Sequence, residues 1–443
     1  MTTSTAQQRA ALSAPGDPLQ RRTLVVLVSA QILGTIALGV TPSIGILLAG
    51  EVTDNEAWAG LARTSSTLGA ALLGIPLGDL AARRGRRTAL ATGWWVAAAG
   101  AALLVAAAQW ELVVPLFLGL LMTGAGTAAS LQARFAATDL AAPSTRARSL
   151  SLVVWMGAIG NVLGPNLGVP GEALGAVTGL SVYAAAFLIA AVASALAGGI
   201  VLAMLRPDPL RVLVRRQAVL AEGESAEGAV PAAAAHASAR ARRIDRIRLM
   251  IAEVQADRRA RTALVALLTA QVVMTSLMTM TPVHIAHQGG SLTIVGLTIS
   301  LHVAGMFGLS PVVGILVDRI GHRATTGIGI GLFAGAIAAA VLVSGTTSGI
   351  ITSLVLLGLG WSFMNVTASA LFSAAVQGPS RASAQGGADA LSNLLGAIAS
   401  FAAGPLMVLS SFSALGVVAA VVMVPVVLLA LNPANWTPAA QFD

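Results

Sequence analysis

Two pairs of side chains at one-turn helical spacing carry the clearest chemistry in this chain. Met274 and Met278 stand four residues apart, as do His302 and Met306, so each pair shares a helix face. Three thioethers and an imidazole are soft to borderline ligands suited to Cu(I), and their lack of charge permits capture without a trap too tight to release from. Calcium or magnesium would require oxygens. The same residues would also fill gaps in a helical interface, since methionine adapts to irregular cavities. A second group consists of polar residues inside apolar runs. Arg134 and Asp139 form one set, with an intrahelical or cross-helix pairing or a gate as their alternative roles, and Asp389 and Asn393 share a face one turn apart. These four are candidates for coupling or gating: protonation of Asp389 could drive exchange between conformations, since a carboxyl in low dielectric holds its proton more firmly, and an inner-gate hydrogen bond is the alternative. Gln31, Gln271, Asn161 and Asn365 are candidates to line a polar cavity. Zero cysteines exclude disulfides and thiolate ligands. No P-loop, nucleophile elbow or zinc-ligand spacing appears, so neither catalysis nor ATP hydrolysis is expected.

The elements that must position these residues follow from composition. With 56% hydrophobic and 10% charged residues and a mean hydropathy of +0.83, the chain cannot form one water-soluble core and reads as an all-α polytopic membrane protein. Runs long enough to cross about 30 Å of hydrocarbon, roughly 20 residues each, are expected near 23–49, 58–82, 88–109, 112–138, 147–169, 177–205, 262–287, 291–318, 324–345, 348–376, 383–410 and 412–432. Thr23 opens a full-length span rather than a cleavable signal. Met274 and Met306 then lie at equal depth, as do Met278 and His302, about 18 and 24 Å from the inner ends of spans seven and eight at 1.5 Å per residue. The four could converge near the midplane.

All 26 basic residues are arginine, and 24 fall in the N-terminal tail or in every second loop, which makes those segments cytoplasmic and places both termini on the cytoplasmic side of the plasma (inner) membrane. The net charge of +8 is thus a topology signal and does not indicate a nucleic-acid partner. The expected organisation is a cytoplasmic tail over 1–22, a six-helix bundle over 23–205, a linker over 206–261, a second bundle over 262–432 and a tail over 433–443. Ile244, Ile247, Ile251 and Val254 repeat at helical spacing among arginines in the linker, predicting a basic amphipathic helix on the anionic inner leaflet.

The two bundles are copies. Gly78, Leu80, Arg83, Gly85 and Arg87 recur as Gly314, Leu316, Arg319, Gly321 and Arg323, at an offset of 236 residues. Ala30, Gln31, Thr35, Thr41 and Pro42 recur as Ala270, Gln271, Thr275, Thr281 and Pro282, at an offset of 240. At these offsets the counterparts of Met274, Met278, His302 and Met306 are Gly34, Leu38, Ser66 and Ala70, so the soft ligands belong to one half alone.

Twelve spans split six and six, with Gly314, Asp318, Arg319, Gly321 and Arg323 after the eighth, resemble the signature loop of the major facilitator superfamily. The resemblance implies two pseudo-symmetric six-helix bundles, working by alternating access as a secondary transporter, commonly monomeric. It also implies that the loops after spans two and eight latch the bundles, through Asp79, Arg83, Gly85 and Arg87 in the first copy. There Ala82 replaces the counterpart of Asp318, and Asp79 stands one turn earlier. Gly160, Gly164, Pro165 and Gly168 in span five resemble the glycine signature of antiporters, and spacing alone also fits a packing seam or hinge. Leu120 occupies the place where drug antiporters carry arginine, which weakens proton-coupled drug export. Met-x-x-x-Met followed by His-x-x-x-Met resembles the bacterial copper importers of the superfamily, whose relatives also include transporters of organic solutes such as riboflavin. Copper uptake is the leading expectation, with copper as transported substrate and no permanently bound cofactor. Proton-coupled transport of an organic solute and a non-transporting sensor on the same fold are the alternatives.

Overall fold

In the computed structural model, residues 17–55, 57–142, 145–224, 254–255, 257–376 and 381–436 are described. All regular structure among them is helical. Eleven helical segments are long and apolar enough to cross a membrane, and a twelfth apolar helix, Leu292–Gly308, is shorter.

Each boundary has a local cause. Helix α1 (Pro18–Gly39) starts with proline at its first position, where no N–H is needed, and Asp17 accepts from the Leu19 N–H at 2.9 Å. Pro42 then interrupts the ladder, giving a π turn at Thr41–Gly45 before α2 (Ile46–Thr53) completes the first span. The next helices are α3 (Ala57–Arg84), α4 (Arg86–Trp110) and α5 (Val113–Asp139). The fifth span, expected over 147–169, is longer and broken: α6 (Arg146–Leu163), a 3-10 turn at Gly164–Leu167, then α7 (Gly168–Thr178). Pro165 removes a ladder donor there. Gly179, with φ of 74°, ends α7, and Ser181 caps α8 (Val182–Met204), so the sixth span starts at 182 instead of 177.

A helix not anticipated by the hydropathy pattern, α9 (Pro209–Glu224), opens the linker. The amphipathic stretch 244–254 lies outside the described residues, except Val254. Helix α10 (Arg258–His287) is capped by Asp257 and α11 (Leu292–Gly308) by Ser291. The eighth span, expected as one helix over 291–318, breaks at Leu309, and its inner part begins α12 (Ser310–Leu342). A turn at Gly321 within α12 separates spans eight and nine. Helices α13 (Thr347–Ala375), α14 (Arg381–Leu409) and α15 (Phe412–Leu431) complete the chain, with Thr346 and Ser411 capping the first and last of these.

The described residues divide into two units, one over 17–55 and 62–224 and the other over 57–61 and 254–436. In the first, small residues let the helix backbones touch. Gly39 and Gly164 are so close that a Cβ on Gly39 would lie 2.9 Å from the Gly164 Cα, which seats α1 on the fifth span. Alanines of α1, α4, α5 and α8 surround Trp94, which is 1% exposed. In the second unit, Gly305 and Gly358 bring α11 against α13 in the same way.

Candidate functional site

The two signature loops are built alike. Gly85 (φ 90°) and Gly321 (φ 81°) both take the positive-φ conformation that side-chain-bearing residues avoid. The arginines two positions later serve the ends of their own bundles. Arg87 Nε donates to the Leu202 carbonyl at 2.7 Å, and Arg323 donates from Nε and Nη2 to the Ala430 and Leu431 carbonyls, both at 3.2 Å. These carbonyls belong to the last turns of α8 and α15, where orphan acceptors and the negative end of the helix dipole favour a cation. Asp208, which the sequence reading missed, accepts from the backbone N–H groups of Arg87, Leu210 and Arg211, joining the first loop to the start of α9. Asp79, Arg83, Asp318 and Arg319 are exposed in their units, and Gly314 is half-buried.

The glycine-rich stretch of span five is a contact seam. Gly160 and Gly164 abut the α1 backbone around Ile32, Ile36 and Gly39; Pro165 and Gly168 are buried beside them.

Of the gating candidates, Arg134 and Asp139 do not pair. Asp139 accepts instead from Arg86, at the start of α4, at 3.0 Å. Arg134 is half-buried, its guanidinium lies 5.2 Å from the Phe135 ring centre, and its Nε is buried without a hydrogen-bond partner. Asp389 and Asn393 lie on an exposed face of α14, where the Asn393 amide donates to the Asp389 backbone carbonyl at 2.9 Å.

Among the metal-ligand candidates, Met274, Met278 and Met306 are 3%, 6% and 8% exposed, and His302 is fully buried. His302 Nδ1–H donates to the Leu354 carbonyl at 2.8 Å, across the crossing where Gly358 leaves room for the His302 backbone. The break at Leu309 means that a uniform helical rise does not carry His302 and Met306 to the depths reckoned from Asp318. Gly34, the counterpart of Met274, lies under the Trp94 ring so closely that an added Cβ would overlap it. The counterpart of Trp94 at the 236-residue offset is Ile330.

The amides occupy the most specific positions. In the first unit, Gln31 is 5% exposed, its Nε2 donates to Ser130 Oγ at 2.5 Å, and Gly157 leaves space beneath it. Its Oε1 is buried with no partner. In the second unit, Gln271 Nε2 donates to Thr275 Oγ1 at 3.4 Å, its Oε1 accepts from the Trp361 indole N–H at 3.3 Å, and Gly396 lies beneath it. Phe307 meets Trp361 edge-on, with centroids 5.8 Å apart. Each amide is therefore held by the fourth span of its half and seated over a glycine of the fifth. The sequence repeat marked the glutamines; Ser130, Trp361 and Phe307 it missed, whereas Gly157 and Gly396, 239 residues apart, were within reach of the same comparison. Asn161 and Asn365 are half-buried.

No cluster of three or more His, Cys, Asp or Glu side chains suited to a metal occurs among the described residues. The model for the Major Facilitator Superfamily matches residues 24–399 and 262–441. The chain is 36% identical to the uncharacterized MFS-type transporter YddS of Bacillus subtilis (strain 168), over 93% of this chain and 91% of the relative. It is 28% identical to the riboflavin transporter RfnT of Brucella anthropi, over 92% and 96% of the two chains. Among solved structures, a bacterial homolog of the lysosomal transporter Spinster, in an inward-facing conformation, aligns with a TM-score of 0.70 at 15% identity, covering 96% of this chain and 100% of that one. The nucleoside transporter NupG aligns with a TM-score of 0.66 at 15% identity, covering 94% and 98%. These two establish likeness of fold.

Proposed function

The chain belongs to the Major Facilitator Superfamily of membrane transporters, and from that premise we propose that it moves a polar organic solute by alternating access, with both termini cytoplasmic. The observation that supports this reading is the pair of buried amides, Gln31 and Gln271, each fixed by a hydrogen bond from or to the fourth span of its half. Buried polar groups in a membrane protein are costly unless satisfied or used, and amides can read donors and acceptors on an organic ligand. The relative named as a riboflavin transporter is consistent with a hydrogen-bonding solute of this class.

Copper import is the second reading. It is favoured by the Nδ1–H donation of His302 to a backbone carbonyl, an arrangement that orients metal-binding imidazoles, and by the three buried thioethers.

Solute counterflow in proteoliposomes tests the two readings, because it reads transport in either direction. Labelled riboflavin and a panel of polar metabolites should include at least one solute exchanged above empty vesicles, with the rate reduced about tenfold or more in Gln31→Leu or Gln271→Leu. Radiocopper exchange lost in Met278→Ala, with every organic solute at background, would overturn the organic reading in favour of copper. Ligand binding without exchange would identify a sensor.

A further inference from the structure

Arg134, near the inner end of α5, has no counter-ion among the described residues. A cationic side chain in a membrane span is costly unless something compensates it. The acid nearest in sequence, Asp139, is engaged by Arg86 at 3.0 Å, and no carboxylate pairs with Arg134 among the described residues. Its buried Nε has no hydrogen-bond partner, and the Phe135 ring at 5.2 Å offers only a π face.

Ser130 stands one turn along α5 on the same face as Arg134. Its Oγ accepts from Gln31 Nε2, which leaves the serine proton to donate elsewhere. Gln31, 5% exposed, presents an Oε1 that is buried and unpartnered. One strip of the first unit therefore holds a fixed positive charge, a free hydroxyl proton and an unsatisfied acceptor. A metal ion would be repelled by the first of these. A neutral solute would leave it uncompensated.

We propose that Gln31, Ser130 and Arg134 recognise an anionic group on the transported solute, which is a small organic acid bearing an N–H or O–H donor beside its charge. The acid accepts from the Arg134 guanidinium and the Ser130 hydroxyl, and its donor meets Gln31 Oε1. This inference rests on the organic-solute reading and narrows it.

The test uses the full-length protein in neutral phosphatidylcholine nanodiscs, with thermal unfolding followed by tryptophan fluorescence. The probes are matched pairs that differ in charge: orotate and uracil, nicotinate and nicotinamide, pantothenate and pantothenol. The expected result is stabilisation by at least one acid and not by its neutral partner. Arg134→Gln should weaken that acid's binding about tenfold or more, since it removes a charge-assisted hydrogen bond. Arg134→Lys, which keeps the charge without the planar fork, should fall between the two. Gln31→Leu should reduce the preference for orotate, which has a ring N–H beside its carboxylate, over nicotinate, which has none. Equal stabilisation by acids and neutral partners, no stabilisation by any acid, or an acid effect unchanged in Arg134→Gln would each overturn the inference. So would stabilisation by added phosphatidylglycerol alone, which would assign the arginine to a lipid headgroup. A neutral solute that binds and undergoes counterflow would sink the anion inference while leaving organic-solute transport standing; radiocopper exchange as the only flux would sink both.

Discussion

At the scale of single residues, buried polar groups differ in whether their hydrogen bonds are made within the helices. His302 makes such a bond, to the Leu354 carbonyl, at a crossing tight enough to need Gly358. His302→Leu should therefore cost stability before it costs specificity, about 1–3 kcal/mol for the stranded carbonyl, measured as a lower unfolding midpoint in detergent. Met274→Leu conserves volume and should cost less than about 1.5 kcal/mol. Were copper the cargo, that same variant would lose metal exchange with its stability intact. Asp389 lies on an exposed face of α14 and remains the coupling candidate of the second unit. If it carries the proton, Asp389→Asn should abolish accumulation driven by a pH gradient while counterflow continues, since counterflow needs no net proton movement. Loss of both would assign Asp389 to binding or folding.

At the scale of elements, glycine and proline decide where helices meet and where they break. Gly164 meets α1 backbone to backbone at Ile36 and Gly39, so no rotamer change can accommodate a larger side chain there. Gly164→Val should destabilise the first unit by about 3 kcal/mol and appear as aggregated protein in fluorescence-detected gel filtration, and Gly199→Val, where a Cβ meets open space, should not. Arg323 ties the second signature loop to the last turn of α15, and its replacement by alanine should cost about 0.3–1 kcal/mol. Gly85 is constrained twice, by its φ of 90° and by the Asp208 carboxylate that an added Cβ would strike. Gly85→Ala should accordingly expose the start of α9 to proteolysis, whereas Thr88→Ala nearby should leave the cleavage pattern unchanged. The glycines and arginines of both loops could be read directly from the repeat. Their partners could not, because Leu202, Asp208 and Ala430 lie more than a hundred residues away and contribute carbonyl or carboxylate oxygens that no spacing rule selects.

At the scale of the whole molecule, the absence of cysteine makes orientation directly testable, because any introduced thiol is the sole one in the chain. Thr346→Cys, before α13, should react with a membrane-impermeant maleimide added outside cells, and Thr88→Cys should react only after permeabilisation; the reverse pattern would invert the topology drawn from the arginines. The sequence by itself determined that the chain is an all-helical membrane protein with about a dozen apolar spans, from its composition and from the roughly 20-residue length that a bilayer demands. The family was legible through the resemblance of Gly314, Asp318, Arg319, Gly321 and Arg323 to a signature loop, which no composition or spacing rule supplies. The tertiary structure decided which polar side chains have partners. Helical periodicity places a residue on a face, but the rotation of each helix about its axis is set by packing against helices distant in the chain. That rotation gives Asp139 to Arg86 and His302 to Leu354, and leaves Arg134 Nε and Gln31 Oε1 with none.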